Sequence, residues 1–308
     1  MLKKITFKKI AITSMLLLLA IILYNYPEEI NEPIKEYTNS KINIYLIDEN
    51  DFVAMTKIPS KKVEDVNDKI YNLLNALIIE NNYNILPKGF KAVIPKNTKI
   101  LDYDLRDGIL KVNFSKEFLE TDEKNENKMI ESLIFTMTTL KQINKIMIFV
   151  DGEHLNELPK SHKPLGLYLD RSYGINKKID ISSINDTSLV TVYYLNKKDD
   201  YYYIPVSYVT NDTGDKTEII INNLKSNKLN DTNLLSHLSY QVELMNYEAT
   251  EKEILLDFNS VLLDSVYQGK LKEEVKYAIS YSIMDTLGVE NVIFMVNSIK
   301  IDEFILDN

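Results

Sequence analysis

The stretch Val112-Asn113-Phe114-Ser115, which continues to Leu119, recurs as Leu256-Asp257-Phe258-Asn259, which continues to Leu263. In both places an apolar strand ends at an amide or an acid, followed by a phenylalanine and a small polar residue. The two phenylalanines are 144 residues apart. A pattern that recurs in this way predicts a duplicated domain, and the rest of the chain can be aligned outward from it.

The elements on either side recur at nearly the same offset. Downstream, an apolar-periodic helix leads to a short apolar run, 145–150 in the first copy and 291–296 in the second. Upstream, Asn43-Ile44-Tyr45-Leu46 matches Thr191-Val192-Tyr193-Tyr194. These pairs are offset by 146 and 148 residues. Such a small drift indicates two copies that differ slightly in loop length.

The spacing of the apolar residues predicts the same order of elements in each copy: a hairpin, a helix, a second hairpin, a second helix and a closing strand. In the first copy the helices cover 66–79 and the region around 129–140, and Arg106-Asp107-Gly108 forms the turn of the second hairpin. Alternating strands and one-sided helices are typical of an α+β fold. We expect two tandem domains, each with a mixed or antiparallel sheet and two helices packed on one face.

The chain is expected to divide into five segments. A basic tail and an apolar segment take residues 1–26, a polar, proline-containing tether takes 27–40, the first domain takes 41–176, a linker takes 177–187, and the second domain takes 188–308. A chain of 308 residues allows about two domains on length alone, which agrees with the repeat.

The N-terminus has the pattern of a membrane anchor. Lys3, Lys4, Lys8 and Lys9 begin the chain, and a helix over 7–24 would span roughly 27 Å, marginally enough for a bilayer core. The small residues of a cleavage site are missing, which favours an uncleaved signal anchor over a cleaved signal peptide. The basic flank predicts a single-pass protein of the cell membrane, with its N-terminus in the cytoplasm and its C-terminal domains extracytoplasmic.

Charge and cysteine usage exclude several classes. The four N-terminal lysines leave 32 of the 36 basic residues and all 45 acidic residues in the rest of the chain, a net charge near −13. Such a surface is a poor match for nucleic acid. The absence of cysteine excludes disulfides, thiolate metal sites and a lipid-modified cysteine anchor. The partners should be proteins, or a polymer that is bound without help from net charge.

Candidate metal and triad residues are few. Asp151, Glu153 and His154 could ligate a metal, but the matched stretch 297–300 has no ligand set, which favours an ordinary solvated loop. His162 has no evident partners for a catalytic triad. The third histidine is His237. We therefore expect no metal site and no triad.

Acid–base chemistry is not favoured at the matched strand ends. The first copy has Asn113 there and the second has Asp257. An exchange of amide for acid suits turn capping better than catalysis. The eight glycines form no phosphate-binding motif. The sequence predicts a protein that is not an enzyme and has no cofactor.

Tyrosines are the remaining candidates for a binding site. Six of them crowd the first hairpin of the second copy: Tyr193, Tyr194, Tyr201, Tyr202, Tyr203 and Tyr208. On one interpretation Tyr201, Tyr203 and Tyr208 form an exposed platform for sugar rings or a partner surface. On the other they are ordinary strand residues, half of them in the core.

Two stretches of the first copy together resemble the GerMN domain family. The first is Leu86-Pro87-Lys88-Gly89 followed by the strand and turn from Ile109 to Leu119. The second is the helix that holds Ile134-Phe135-Thr136-Met137-Thr138, followed by 146–152. The second copy departs from the family pattern, because Leu-Pro-x-Gly is absent and Asn297-Ser298 stands where Asp151-Gly152 stood.

The resemblance implies a scaffold of the cell envelope. Proteins with tandem GerMN domains are exported and membrane-attached, and their domains are similar to the ring-building domains of secretion systems. They act in sporulation or germination as structural components and not as catalysts. The expected partners are therefore envelope proteins, such as those of a sporulation complex in the bacterial membrane. The alternative is a module that binds peptidoglycan or another wall polymer through the tyrosine-rich hairpin of the second copy.

Overall fold

The fold is described by a computed structural model. It covers residues 40–61, 65–81, 85–183, 185–198, 200–212, 214–225 and 234–306. The predicted anchor over 7–24 lies outside these residues and stays a prediction. Within the described part of the chain, no helix combines the length and the apolar character that a membrane crossing requires.

The elements follow the predicted order in both copies. The helices are α1 (Val66–Leu77), α2 (Glu123–Met137), α3 (Lys216–Lys225) and α4 (Glu273–Leu287). The strands of the first half are β1 (Ser40–Ile47), β2 (Val53–Ser60), β3 (Ile100–Arg106), β4 (Ile109–Phe114), β5 (Lys145–Val150), β6 (Glu153–His154) and β7 (Lys178–Asp180). Those of the second half are β8 (Ser188–Lys197), β9 (Tyr201–Thr210), β10 (Leu244–Ala249), β11 (Glu253–Phe258), β12 (Val266–Tyr267), β13 (Lys270–Leu271), β14 (Asn291–Val296) and β15 (Ile299–Ile305).

Each copy has its own four-stranded mixed sheet, in the order β3-β4-β5-β6 and β10-β11-β14-β15. In each, the second hairpin pairs in parallel with the closing strand, and the preceding helix makes the crossover that a parallel pair requires. In β4, Leu110, Val112 and Phe114 are buried while Lys111 is exposed, so this sheet buries one face, as the alternation predicted. The predicted α+β class is confirmed.

The first hairpins are arranged differently from the prediction of one sheet in each copy. The hairpins of both copies join in a single five-stranded sheet, in the order β1-β2-β9-β7 with β8 on the other side of β9. The physical reason is visible in their burial. Residues 44–47 of β1 and 190–196 of β8 are buried consecutively, on both faces of the strand. Strands of this kind are covered on both faces, unlike the strands of a sheet that buries one face only, so the alternating pattern does not describe them.

A local two-fold axis relates the two hairpins. The strands β2 and β9 run antiparallel and pair at Met55 and Tyr203, which are matched positions 148 residues apart. A contact in which each element meets its own counterpart is the intrachain form of an isologous interface. The cores also interpenetrate, because Tyr193 of the second copy packs in the first core cluster and Ala54 of the first copy packs in the second.

The second helix of each copy is placed against an outer edge of the shared sheet. The backbone N–H of Tyr45 in β1 donates to the Thr136 hydroxyl of α2 at 3.0 Å. At the matched positions the N–H of Tyr193 in β8 donates to the Ser282 hydroxyl of α4 at 2.8 Å. These hydroxyls provide partners for N–H groups of edge strands that would otherwise be unpaired.

The segment between β5 and β8, residues 151–187, connects the two copies and contacts both of them, and we call it the connecting segment. Leu165 and Leu169 are buried in the first core cluster, and Leu169 pairs with Ile146, so this stretch packs on the first copy. Within the predicted linker 177–187, β7 pairs in parallel with β9. No periodicity marks this strand in the sequence, because three residues are too few to establish a period.

Candidate functional site

A buried polar network connects the two copies at the two-fold axis. The hydroxyl groups of Tyr45 and Tyr193 lie 2.8 Å apart. Tyr193 donates to Asp285 Oδ2 at 2.9 Å, so Tyr45 must donate to Tyr193. The Arg171 guanidinium donates to Asp285 Oδ1 at 2.6 Å and to the Thr138 hydroxyl at 2.9 Å. The network thus links β1, α2, the connecting segment, β8 and α4.

The charges of this network are matched. The Asp285 side chain is 3% exposed and its partner Arg171 is 27% exposed. Burial by itself would lower the pKa of Arg171, but the adjacent Asp285 carboxylate raises it by more. The pKa of Arg171 therefore lies well above its ordinary value. The guanidinium also lies 4.8 Å from the centre of the Phe135 ring, a cation–π distance. Burial raises the pKa of Tyr193 well above its ordinary range, so this hydroxyl remains a donor.

On one side of the axis, β2 and β9 are bridged by a side chain. Asn176 donates from Nδ2 to the carbonyl oxygens of Val53 and Pro205, at 2.7 and 2.8 Å. Its Oδ1 accepts from the Val53 N–H at 3.0 Å. Pro205 has no N–H to offer to β2, which interrupts direct pairing here. The amide of Asn176 therefore takes the place of a strand-to-strand contact.

On the other side of the axis lies a broad groove of about 1260 Å³. Both copies contribute to it, and its lining contains seven lysines against three acidic residues. Five of the lysines are exposed and make no salt bridge within the described part of the chain: Lys41, Lys57, Lys88, Lys270 and Lys272. We call this feature the basic groove. It carries positive charge on a chain that is acidic overall, so it can attract anions.

The structure brings two of the three predicted tyrosines into the basic groove. Tyr201 lies there edge-on to the His237 ring, with centroids 5.4 Å apart. Tyr203 packs against the Tyr281 ring at 5.5 Å. Both rings are half-buried and present part of their surface to the groove. Aromatic rings beside cationic side chains suit recognition of a polar, anionic chain.

Of the other four tyrosines of the hairpin, Tyr202 borders the groove but is mostly buried, and the other three lie outside the groove lining. Tyr208 is outside the groove lining, and its hydroxyl lies 2.8 Å from that of Tyr194. Tyr193 and Tyr194 are buried, and Tyr202 is 9% exposed, with its hydroxyl donating to Asp48 at 2.8 Å. For these residues the structure agrees with the interpretation of tyrosines as core residues.

The histidines of the first copy are apart from one another. The His154 ring packs edge-on against Phe149, with centroids 5.6 Å apart. His162 lies on the surface, where its Nδ1 is 2.7 Å from a carboxylate oxygen of Glu157. Among the described residues, no three His, Asp or Glu side chains are placed to hold a metal ion. Neither arrangement assembles a nucleophile, a base and an orienting group.

The matched strand-end residues Asn113 and Asp257 cap turns, as the sequence predicted. The Asn113 Oδ1 accepts from the backbone N–H of Gly152 at 2.9 Å. The Asp257 Oδ2 accepts from the backbone N–H of Ser298, also at 2.9 Å. Gly152 and Ser298 both have positive φ, 85° and 65°. An amide oxygen and a carboxylate oxygen serve this purpose equally, which explains why the copies differ here.

Sequence reasoning missed the basic groove. Its free lysines come from separate segments around 41, 57, 88 and 270, and the net charge of the chain conceals them. The one local signal is in the first hairpin, where Lys57 pairs with Asn43 beside Lys41, so both lysines point to the same face.

Comparison with known proteins identifies the family. Residues 43–156 match the Germane family, described as "Sporulation and spore germination". The chain is 30% identical over 264 residues to the spore germination protein GerM of Bacillus subtilis, a match that covers 82% of this chain and 70% of GerM. The solved structure of the tandem GerMN domains of the sporulation protein GerM from Bacillus subtilis superposes with a TM-score of 0.74 at 28% identity, covering 84% of this chain and 92% of that structure. The chain therefore belongs to the GerMN family of sporulation and spore-germination proteins.

Proposed function

We propose that the chain is a membrane-anchored, extracytoplasmic scaffold of the bacterial cell envelope that acts in sporulation or spore germination through protein–protein interaction and not through catalysis. The observation that carries the proposal is what the two copies share. The contact of Tyr45 with Thr136 recurs as that of Tyr193 with Ser282, and the capped turns recur as well. The histidines and the Asp285 carboxylate have no counterpart in the other copy. Duplication has kept contacts that fix shape.

The joint between the copies supports the same proposal. The shared sheet, the Arg171–Asp285 ion pair and the Asn176 bridge hold the two copies in one arrangement. A scaffold needs fixed spacing between its binding surfaces, and a continuous sheet provides more of it than a flexible linker would. The names of the Bacillus subtilis relative and of the solved structure place those proteins in germination and sporulation, which supports the proposed context.

The test is crosslinking in cells that express the full-length chain. A photoreactive side chain is introduced at exposed positions of both copies, such as Tyr240 and Leu101, and membranes are isolated after irradiation. The proposal expects a covalent adduct with a defined envelope protein and release of the chain from membranes only by detergent. Recovery of the chain in the soluble fraction, or no adduct from any position, would contradict it.

A second candidate function is binding of peptidoglycan or another wall polymer, favoured by Tyr201 and Tyr203 beside the lysines of the basic groove. Sedimentation of the full chain with purified wall tests it. The double variant Tyr201→Ala with Tyr203→Ala should lose binding. The matched control is Tyr240→Ala, which removes a tyrosine that is 72% exposed and lies outside the groove. Equal binding by both variants would remove this candidate.

A further inference from the structure

We propose that the basic groove binds an extended, acidic polypeptide segment of a partner protein, which inserts a peptide amide between the backbones of Lys57 and Tyr201. The inference rests on the proposed scaffold function and names the contact surface through which it would act. Three observations carry it: the direction of backbone groups in β2 and β9, the two-fold relation between the two sides of the axis, and the charge of the groove.

The backbone of Lys57 points toward β9. In a strand, the N–H and C=O of alternate residues point to the same side. Val53 directs both groups at the Asn176 amide, which lies between β2 and β9. Met55, two residues on, pairs with β9. The N–H and C=O of Lys57, two residues further, therefore also point toward β9.

The backbone of Tyr201 points back toward β2 by the same argument. The Pro205 carbonyl is directed at Asn176, and Tyr203 pairs with Met55. Tyr201 precedes Tyr203 by two residues, so its N–H and C=O also point toward β2. Yet Met55 and Tyr203 form the one pair between these strands in the described part of the chain. The backbone groups of Lys57 and Tyr201 are thus directed toward each other, but the two residues form no ladder pair among the described residues. We call the space between them the gap.

The two-fold axis identifies what this gap can hold. With an offset of 148, Val53 corresponds to Tyr201 and Lys57 corresponds to Pro205. The pair Val53–Pro205 is bridged by the carboxamide of Asn176, and its symmetry-related pair Tyr201–Lys57 borders the basic groove. A peptide amide that enters from the groove would meet groups of the same kinds: its N–H can donate to a carbonyl oxygen of one strand, and its C=O can accept from an N–H of the other. Lys57 also offers an N–H, since it stands where the matched residue is proline.

The groove reaches both faces of the sheet at this gap. Neighbouring residues of a strand point to opposite faces. Both Thr56 and Lys57 of β2 line the groove, and so do both Tyr201 and Tyr202 of β9. A chain lying in the groove can therefore place one amide in the gap and keep its other residues on the surface beside it.

The chemistry favours a polypeptide over a glycan. The groups directed at the gap are an N–H and a C=O on each strand, and a peptide strand offers the complementary donors and acceptors. The exposed lysines around them would pair with acidic side chains, and the tyrosine rings offer contact area at low entropic cost. A wall glycan could offer an acetamido group to the gap, but not a repeating backbone.

The direct test is fluorescence anisotropy with the full-length chain in detergent. The probe is a labelled peptide of alternating glutamate and threonine with a central asparagine. One control peptide has glutamine for every glutamate, and another has N-methyl groups on the central amides. We expect each control to bind about tenfold more weakly, the size of one or two lost polar contacts, and the binding of the acidic probe to weaken with salt.

Variants separate charge from backbone. Lys57→Gln removes a charge, whereas Lys57→Pro also removes the N–H that faces the gap, and the matched residue Pro205 shows that β9 accepts proline there. We expect Lys57→Pro to bind the acidic probe about fivefold to tenfold more weakly than Lys57→Gln does. Lys111→Gln, an exposed lysine of β4 outside the groove, is the control and should bind as the parent does. The double variant Lys270→Gln with Lys272→Gln changes no strand of the gap and should also weaken binding.

The results of these experiments either support the inference or overturn it. Equal affinity for the acidic, neutral and N-methylated peptides overturns the inference, as does equal affinity of Lys57→Pro and Lys57→Gln when both unfold at the parent temperature. If purified wall fragments displace the probe and bind more strongly than it does, the groove binds a wall polymer and not a polypeptide. No peptide binding by a chain that still crosslinks to an envelope protein overturns the groove inference alone. Failure of both experiments removes the scaffold proposal as well.

Discussion

Tyr45 and Tyr193 occupy matched positions of the two copies, and their hydroxyl oxygens lie 2.8 Å apart on the local two-fold axis. The surroundings of the pair are not symmetric. Asp285, which accepts from Tyr193, has Thr139 as its counterpart in the first copy, by the offset of 146 that relates Thr136 to Ser282. The hydrogen bonds therefore run in one direction: Tyr45 donates to Tyr193, and Tyr193 donates to Asp285. A symmetric backbone contact thus carries an asymmetric polar network.

The direction of this network makes the two tyrosines unequal. Tyr193→Phe removes the bonds to Tyr45, Asp285 and Arg171, whereas Tyr45→Phe removes the bond to Tyr193. We expect the first substitution to lower the free energy of unfolding by about 2 to 3 kcal/mol and the second by about 1 kcal/mol. Urea denaturation of the two variants measures the difference. Equal losses of unfolding free energy in the two variants would contradict the proposed direction of the hydrogen bonds.

The ion pair between Arg171 and Asp285 should be strongly coupled. Arg171→Met leaves the Asp285 carboxylate, 3% exposed, without its cation, and should cost about 3 to 4 kcal/mol. Adding Asp285→Asn should recover part of this loss, because the uncompensated charge is removed. A double-mutant cycle in urea checks the coupling. Additive losses from the two substitutions would show that the carboxylate is not desolvated in the folded chain.

The matched turn caps should tolerate exchange but not truncation. Asn113→Asp and Asp257→Asn keep an oxygen for the backbone N–H of Gly152 or Ser298, and each should change the free energy of unfolding by less than about 0.5 kcal/mol. Asn113→Ala and Asp257→Ala remove the acceptor and should cost about 1 kcal/mol each. Thermal unfolding of the four variants measures this pattern. A large loss from the exchanges alone would indicate a role beyond turn capping.

Glu131 should make the fold less stable as the pH rises through neutrality. Burial raises the pKa of this carboxyl to about 7 from 4.5, while a backbone N–H from Asn176 partly offsets the shift. Between these values the folded chain binds a proton that the unfolded chain releases, so the stability falls from pH 4.5 to 7 and is lowest above it. Glu131→Gln removes the ionisation and should raise the free energy of unfolding at pH 8 by up to about 3 kcal/mol.

Melting temperatures across this pH range test the assignment. The parent should lose stability from pH 5 to 8 and Glu131→Gln should not. Glu126 provides the internal contrast: burial would raise its pKa, but hydrogen bonds from Ser161 and Lys160 outweigh burial and lower it. Its contribution to stability is present above its unfolded pKa and is lost as the pH falls further, so it acts below the Glu131 window. A parent profile as flat as that of Glu131→Gln would refute the assignment.

The sequence was informative wherever a contact is local or repeated. The alternation of Leu110, Val112 and Phe114 predicted the buried face of β4, and the stretch Arg106-Asp107-Gly108 predicted the hairpin turn. The duplication predicted that both copies share one order of elements. These inferences succeed because periodicity and turn chemistry act over a few residues.

The joint between the copies was beyond such reasoning. Pairing of Met55 with Tyr203 is a choice between strand edges 148 residues apart, and either hairpin could have joined its own four-stranded sheet by the same alternation. The run of mostly apolar and aromatic residues in β8 was the available signal in the sequence, since such a run indicates a strand covered on both faces. The lysines of the groove gave no signal as a set, because only the fold brings Lys57 near Lys270.

The pairing of β2 with β9 also has a consequence for how the chain responds to dilution. Two separate copies would form this sheet only at concentrations above their dissociation constant, whereas one covalent chain presents each edge to the other at a fixed effective concentration. A fragment ending near residue 183 would keep the edge of β2 but lose its partner, and an unpaired edge strand recruits another chain. Such a fragment should dimerise or aggregate as its concentration rises, while the whole chain stays monomeric at this contact. Duplication has made the geometry of the joint independent of how many molecules are present.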